Sequence, residues 1–488
     1  MLFNSIEFAF FFILVTVIYY LLPHAWRWLL LLAASCYFYM AFVPVYILIL
    51  AFTIVIDYIA GICLEKIHGK RKKIFLAASI IANIGVLAIF KYYNFINLNL
   101  SWLLGHFDHK NPLPYLSILL PIGLSFHTFQ AMSYTIEVYR GNQKAERHFG
   151  IYALYVMFYP QLVAGPIERP QNMIHQFYER HSFDYKRITD GLKLMAWGLF
   201  KKVVIADRIS VLVDGIYNNV HQYRGLPLIL TMMLFSFQIF CDFSGYSDMA
   251  IGAAQVMGFK LMNNFNRPYS ARSIQDFWTR WHISLSTWFR DYLYIPLGGN
   301  RVSVPRMYFN LLVVFLLSGL WHGPSWTFVV WGALHWFYMT FGIATKRVRH
   351  TLSHALGLTR SPRVYNFIQI VTVFILVSIA WVFFRAATFS DALYILSHCF
   401  AGILPQISDI LHRKPHVLEL PVSIAQVAII FAAILLMEVI HKMQDRGSIR
   451  AWIADKPTAV RWTIYYAAVL AIIFVGMHES RQFIYFQF

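Results

Sequence analysis

Residues 367–384 read FIQIVTVFILVSIAWVFF, an uncharged apolar stretch of the length that crosses a membrane as one helix. Comparable runs lie at residues 8–22, 28–50, 74–90, 226–240, 421–439 and 462–475. Each is long enough, or nearly so, to cross about 30 Å of hydrocarbon. The sequence therefore predicts an all-α integral membrane protein, a multi-pass helical bundle with roughly 11–13 membrane segments when re-entrant and interfacial helices are included.

The composition excludes an ordinary soluble protein, because 59% of the 488 residues are hydrophobic and only 13% are charged. The formal net charge of +18 is not concentrated in one domain. The basic residues lie in short segments between apolar runs, chiefly at 65–73, 140–147 and 346–349, with Arg360 and Arg363 nearby. This distribution is typical of loops that face the cytoplasm. We therefore expect membrane lipids around the protein and no nucleic-acid partner.

No linker or internal repeat divides the chain, so we expect a single transmembrane domain over residues 1–488. Between about 149 and 336 the apolar runs are shorter and contain polar residues, prolines and glycines. Such elements persist at membrane depth only when they pack within protein or line a wet cavity, so this middle region is the predicted catalytic region. The four cysteines lack a paired or metal-binding spacing, which predicts neither disulfides nor a metal site; they are Cys36, Cys63, Cys241 and Cys399.

Two segments of the middle region predict unusual structure. Residues 157–170 are too short and too rich in proline for a complete span, which favours a re-entrant hairpin over a simple connecting loop. Residues 273–293 begin with Ser273 and Asp276 in capping-box spacing, and their apolar side chains form one broad stripe at helical periodicity. A single helix, lying in the membrane interface or packed beneath the transmembrane bundle, is therefore predicted here, with His282 at the edge of its stripe as either a functional or a structural histidine.

His322 is the strongest candidate for chemistry. It lies between two apolar runs in the sequence LSGLWHGPSW (residues 317–326), where the glycines and Pro324 should break the helix. An ionisable side chain at such a break is costly unless it is paired or used. A neutral histidine can remove a proton from a hydroxyl group at physiological pH, which suits acyl transfer to an alcohol, and transient acylation of a side chain is the alternative. No nucleophile elbow or nucleotide-binding loop is recognisable, which argues against hydrolase and nucleotide-driven functions.

Other side chains of the middle region could support the site or bind substrate. These are Trp321, Asp242, Asp248, Arg280, Arg290 and Gln238. A carboxylate beside an apolar span usually pairs with a cation, so we expect an aspartate to pair with Arg280 or Arg290 and brace the site.

Five motifs together resemble the membrane-bound O-acyltransferase (MBOAT) family, and within it the bacterial branch that O-acetylates alginate. They are LPIGLSF (120–126), YPQLVAGPI (159–167), DFSGYSD (242–248), FWTRWHISLSTWFRDY (277–292) and LWHG (320–323). The resemblance extends over most of the chain and implies that His322 is catalytic, with His282 as the second functional position. It further implies a bundle around a central funnel or tunnel, in which cytoplasmic acetyl-CoA meets an acceptor from the outer side.

For function, the resemblance implies O-acetylation of an exported polysaccharide such as alginate, with the acetyl group crossing the bacterial inner membrane. Acetyl-CoA would be a substrate, and no tightly bound cofactor is expected. A periplasmic SGNH-type O-acetyltransferase or acetyl-carrier protein is the implied partner. Relatives that transfer D-alanine to a cell-wall polymer share the Arg-Trp-His segment, although residues 294–301 look more like the acetylating branch. Transport of a polysaccharide or lipid without acyl transfer, and a scaffold for periplasmic enzymes, remain alternatives.

Overall fold

Helices make up all the regular structure that is described in this protein. The computed structural model describes residues 1–117, 120–412, 418–477 and 483–486, and within these ranges no β-strand occurs. A helix satisfies its own backbone N–H and C=O groups, which an apolar chain in lipid requires. The predicted all-α fold is confirmed.

The first of two compact units comprises Met1–Met195 and Tyr246–Asn263. Its helices are α1 (Ile6–Leu21), α2 (His24–Met40), α3 (Ile47–Lys66), α4 (Arg71–Leu87), α5 (Tyr93–Gly105), α6 (Leu124–Arg140), α7 (Phe149–Met157), α8 (Tyr159–Leu162), α9 (Pro170–Met173) and most of α10 (Tyr185–Phe200). A π-helical segment, Ala88–Tyr92, joins α4 to α5.

A buried polar cluster connects three helices of the first unit. The Asp57 carboxylate on α3 accepts hydrogen bonds from Ser79 Oγ at 2.6 Å and Asn83 Nδ2 at 2.8 Å, both on α4. Ser79 Oγ also lies 3.0 Å from Thr135 Oγ1 on α6. Polar contacts of this kind hold apolar helices in one register, because a separated polar group would be left without a partner in an apolar environment.

The second unit comprises Ala196–Gly245 and Asn264–Phe488. After the end of α10 come a π-helical segment, Lys201–Ala206, and α11 (Asp207–Tyr217), and the unit contains most of α12 (Leu226–Met257). The remaining helices are α13 (Ile274–Arg280), α14 (Ile283–Phe289), α15 (Val304–His322), α16 (Trp326–Ala344), α17 (Lys346–Ala355), α18 (Pro362–Arg385), α19 (Phe389–His398), α20 (Ile403–Leu411), α21 (Ile424–Gln444), α22 (Ile449–Ala454) and α23 (Thr458–Val475). A third π-helical segment is Arg290–Tyr294.

Eight helical stretches among the described residues are long and apolar enough to cross a membrane, and Ile6–Leu21 is a shorter apolar helix. The eight are Pro44–Lys66, Arg71–Gly105, Leu226–Met257, Val304–His322, Trp326–Ala344, Pro362–Arg385, Ile424–Gln444 and Thr458–Val475. Many of their large apolar side chains point outward, such as Phe474, which is 78% exposed. Surfaces this apolar are stable in lipid and not in water. The chain is therefore a multi-pass membrane protein.

One predicted span is wrong. Residues 28–50 were expected to form one helix, but α2 ends at Met40 and the next helical stretch begins at Pro44. Proline restricts the residue before it to extended backbone, and Val43 adopts φ −140° and ψ 104°. The run is therefore divided between two helices.

Residues 157–170 form a short helix, α8, followed by a turn before Pro170, and most of these residues are buried. Whether they re-enter the membrane stays a prediction.

Close contact between α15 and α16 depends on two glycines. A Cβ atom on Gly319 would lie 2.3 Å from the carbonyl oxygen of Phe328, and one on Gly332 would lie 2.3 Å from the carbonyl oxygen of Phe315. These distances are too short for any side chain, so only glycine permits this approach of two backbones. Because α15 ends at His322, the pair of glycines also determines where that histidine lies.

Replacing Gly332 by leucine is expected to destabilise the protein by about 1–3 kcal/mol or more, because the added side chain must push the two helices apart. Thermal unfolding in detergent should show a fall in Tm. The matched control is Gly342→Leu on the same helix, where a Cβ atom would meet nothing closer than Arg349 at 3.9 Å. Equal Tm values for the two variants would contradict the proposed close contact.

Candidate active site

A break between α15 and α16 places His322 at a helix end. The helix α15 ends at His322, Gly323 is extended, and α16 starts at Trp326 behind the cap formed by Ser325, whose Oγ accepts the Thr327 N–H at 3.3 Å. A Cβ atom on Gly323 would lie 2.1 Å from the Phe328 ring, so the break requires glycine there. The predicted helix break is confirmed. The His322 side chain is buried, with only 3% of the residue exposed.

The predicted single helix over residues 273–293 is wrong. Its start is confirmed, since Ser273 Oγ accepts the Asp276 N–H at 3.0 Å, but the helix ends at Arg280 and a second helix begins at Ile283. Between them His282 adopts φ +43°, a left-handed conformation that costs a non-glycine residue about 1 kcal/mol or more.

Asn264 explains the break at His282. Its backbone oxygen accepts the Ile283 N–H at 2.9 Å, and its side-chain Oδ1 accepts the Ser284 N–H at 3.2 Å and the Ser284 hydroxyl at 2.9 Å. These bonds satisfy the first donors of the second helix, which a continuous helix would have satisfied internally. A residue distant in sequence thus outweighs the local helical periodicity.

The same asparagine determines the tautomer of His282. Nδ1 of the imidazole lies 3.1 Å from Asn264 Oδ1, which already accepts two hydrogen bonds and has no proton to give. Nδ1 therefore carries the hydrogen and donates it, and the neutral ring has its lone pair on Nε2. His282 lies outside the eight candidate spans and is fully buried, and burial lowers its pKa to about 3. The ring is therefore neutral at physiological pH.

Five aromatic rings form a closed circuit that brings the two histidines together. The Trp321 ring centroid lies 6.0 Å from that of His282 and 4.9 Å from that of His322. On the other side, the Phe243 ring lies 4.6 Å from His282 and 4.7 Å from Tyr485, and Tyr485 lies 5.5 Å from His322. We call this group the five-ring cluster.

Further aromatic side chains pack behind His322. The rings of Trp331 and Phe384 lie 4.9 Å and 5.2 Å from it, which limits the orientations the imidazole can adopt. A third buried histidine, His335, lies one turn after Trp331 on α16. It accepts a hydrogen bond from Trp278 Nε1 at 3.3 Å. His335 lies outside the five-ring cluster.

Comparison with known proteins decides the family. Residues 147–386 match the model of the MBOAT, membrane-bound O-acyltransferase, family. A probable alginate O-acetylase of Pseudomonas aeruginosa is 39% identical, over 84% of this chain and 77% of the relative. The chain belongs to the membrane-bound O-acyltransferase family. It is also similar to a peptidoglycan O-acetyltransferase of Helicobacter pylori, 38% identical over 81% of this chain and 79% of that protein.

A more distant relative belongs to the same class of enzyme. A teichoic acid D-alanyltransferase of Bacillus subtilis is 29% identical, over 45% of this chain and 58% of the relative. The relatives share acyl transfer and differ in the acyl group and the acceptor in their names. This membrane-bound O-acyltransferase is therefore an enzyme that transfers acyl groups, as the sequence motifs predicted.

The predicted pairing of an aspartate with Arg280 or Arg290 is confirmed, while a bracing role for these pairs stays a prediction. Arg280 Nε pairs with Asp276 at 2.6 Å and Arg290 Nε pairs with Asp291 at 2.7 Å, both close in sequence and partly exposed. The carboxylate of Asp242 instead pairs with Lys202 Nζ at 2.7 Å. The two arginines lie at helix ends where a neighbouring aspartate is within reach. Each arginine therefore already has a carboxylate partner, and Asp242 pairs with a lysine.

Two further polar residues predicted to support the site are Gln238 and Asp248, both on α12. Gln238 is buried on α12, and its Oε1 accepts no hydrogen bond from the described residues. Asp248 is partly exposed on the part of α12 that belongs to the first unit.

Sequence reasoning missed four residues that shape the candidate site, namely Phe243, Asn264, Lys202 and Tyr485. A signal for Lys202 existed, since two lysines interrupt the apolar run at 194–206, and buried charge in such a run is a functional hypothesis by default. The aromatic sequence FIYF at 483–486 was a weaker signal for Tyr485. Phe243 lies within the DFSGYSD motif (242–248), whereas no local pattern distinguishes Asn264 from other loop residues.

Proposed function

We propose that this acyltransferase transfers an acetyl group from cytoplasmic acetyl-CoA across the membrane for O-acetylation of an exported polysaccharide such as alginate. The observation that supports a catalytic site is the placing of two buried imidazoles, His322 and His282, on either side of Trp321. An imidazole buried in an apolar interior loses its hydration, and this cost favours a functional use for two of them packed on one tryptophan.

The proposed chemistry assigns the proton transfers to His322. Its neutral imidazole removes the proton from an acceptor hydroxyl while the hydroxyl oxygen attacks the thioester carbonyl carbon. The C–S bond then breaks, and the imidazolium returns the proton to the departing CoA sulfur. A two-step route through an acetylated His322 ring conserves the same atoms and is the alternative. His282, held with its lone pair on Nε2, is the second proposed catalytic residue and orients a reacting group by accepting its hydrogen bond.

The names of the relatives support a polymer as the final acceptor, since they are acetylases or acyltransferases of alginate, peptidoglycan and teichoic acid. We propose acetyl in preference to D-alanyl transfer because the acetylating relatives are more similar to this chain. A periplasmic SGNH-type protein or acetyl carrier is proposed to pass the acetyl group to the polymer. The proposed location is the bacterial inner membrane, with residues 149–336 as the core of the catalytic region in a single domain, 1–488.

Proteoliposomes containing the purified protein test this proposal. Acetyl-CoA is added on one side, and release of free CoA thiol is measured with oligomannuronate, peptidoglycan fragments or no acceptor present. We expect thiol release only when one of these acceptors, or an added periplasmic partner from the same organism, is present to receive the acetyl group. Release with D-alanyl thioester but not with acetyl-CoA would favour the D-alanyl alternative. Transport of polysaccharide without any thioester turnover would overturn the proposal.

A further inference from the structure

Three charged side chains are buried together in the second unit. Lys202 Nζ lies 2.7 Å from Asp242 Oδ1 and 2.8 Å from Asp207 Oδ1, and the side chains of all three are 3–4% exposed. Burial by itself favours the neutral amine, but the two carboxylates outweigh it and hold the pKa of Lys202 above its ordinary value of 10.5. A buried group of charges contributes little net stability, so a role other than stability is indicated.

The π-helical segment Lys201–Ala206 explains how two consecutive lysines reach the same helix. Lys201 Nζ lies 2.8 Å from Ser244 Oγ, while Lys202 reaches Asp242, and both partners are on α12. In an α-helix neighbouring side chains diverge by about 100°, and the wider π turn reduces this divergence. Gly245 permits the close approach, since a Cβ atom there would lie 2.7 Å from the carbonyl oxygen of Gly198.

The second oxygen of Asp242 binds a segment far away in the sequence. Oδ2 accepts the backbone N–H of Ile484 at 2.8 Å. The chain just before the undescribed residues is also attached to the π segment, because the Met477 N–H donates to the carbonyl oxygen of Val203 at 3.0 Å. The carboxylate therefore links the Lys202 ammonium on one side to residues 483–486 on the other.

We propose that Lys202 and Asp242 are a positioning pair that holds residues 483–486 against the His322 imidazole. Ile484 is adjacent to Tyr485, whose ring lies 5.5 Å from His322 and 4.7 Å from Phe243. The Phe483 ring packs 5.6 Å from Phe243. Fixing one backbone N–H with a charged acceptor therefore fixes one side of the five-ring cluster. The lysine holds the carboxylate in its orientation, and Asp207 holds the lysine.

The pair acts on catalysis through the position of other groups, and this part of the inference rests on the proposed function. A segment held by an ion pair keeps the His322 ring in one orientation and excludes water beside it. Releasing the segment should lower kcat and leave KM for acetyl-CoA nearly unchanged. The structural part, the attachment of Ile484, does not depend on which reaction the protein catalyses.

Two double variants separate the attachment of Ile484 from the loss of the charges of Lys202 and Asp242. Both replace Lys202 by methionine, so neither leaves a buried ammonium alone. In K202M/D242N the amide oxygen can still accept the Ile484 N–H, whereas K202M/D242A has no acceptor. Hydrogen–deuterium exchange of the peptide that contains Ile484 should be at least about tenfold faster in K202M/D242A than in K202M/D242N, since a buried N–H then loses its hydrogen bond.

The same two variants test the catalytic consequence. We expect kcat to fall about tenfold or more in K202M/D242A relative to K202M/D242N, with KM within about twofold. The control is Asp214→Asn, which removes the carboxylate paired with Arg385 at 2.5 Å in the same unit and should leave the exchange of Ile484 unchanged. Equal exchange at Ile484 in the two double variants would overturn the proposal. Exchange that differs without any acetyl-CoA turnover in the wild type would instead count against the proposed function alone.

Discussion

Replacement of His322 by glutamine is expected to reduce acyl transfer by about 10²–10⁴-fold, the range that general base catalysis contributes. Glutamine is preferred to alanine because the imidazole packs between Trp321, Trp331 and Phe384, and a small residue would leave a cavity. The amide can hydrogen-bond but cannot accept a proton at physiological pH. The rate of CoA thiol release in proteoliposomes measures the effect.

The control for this substitution is His335→Gln. His335 is another fully buried histidine of the second unit, on α16, and its known hydrogen bond is with Trp278 outside the five-ring cluster. We expect this variant to keep turnover within a few-fold of the wild type, because His335 packs on the far partner Trp331 and not on His322 or another ring of the five-ring cluster among the described contacts. Wild-type turnover by His322→Gln, or an equal loss in both variants, would refute the assignment of His322.

Rapid quenching distinguishes the two proposed routes. Wild-type protein mixed with acetyl-CoA and quenched before a full turnover should show an added acetyl group on the peptide with His322 if the reaction passes through an acetylated ring. Direct base catalysis predicts no such mass increase. Both results are compatible with the loss of activity expected for His322→Gln, so the quench experiment decides the mechanism and not the identity of the residue.

Replacement of His282 by glycine is expected to lower kcat by about 10²-fold or more while preserving the local backbone. His282 has φ +43°, which glycine adopts without strain, so this substitution removes the imidazole and relieves the conformational cost at the same position. His282→Ala removes the ring and retains the strain. The two variants should therefore lose similar activity, and the glycine variant should have the higher Tm.

The pH dependence gives this prediction a second readout. Burial lowers the pKa of His282 to about 3, so the neutral ring is present at every pH above that value. Between pH 5 and 8 the His282→Gly substitution should reduce kcat by the same factor throughout, without moving the inflection of the profile. A shifted inflection would mean that His282 titrates in this range, and unchanged kcat would mean that the residue is structural only.

The helix break at His322 and most of the spans could be predicted from the sequence, because each depends on neighbouring residues. Long apolar runs form helices wherever lipid replaces water, and glycine and proline interrupt them at 323 and 324. The error at residues 28–50 was of the same local kind, since Pro44 carries the signal for the break. The error at 273–293 was different, because the acceptors that satisfy the first N–H groups of the second helix belong to Asn264.

Side-chain chemistry along the chain was enough to establish a multi-pass membrane protein, to indicate a family and to select two histidines. The partners of those histidines depend on contacts across large sequence separations, as with Phe243, Tyr485 and the Lys202–Asp242 pair. Periodicity and hydropathy describe what a segment prefers next to its own neighbours. They contain no information on which distant side chain offers the shortest hydrogen bond, so only the packed chain decides that Asp242 binds Lys202 and Ile484 rather than an arginine.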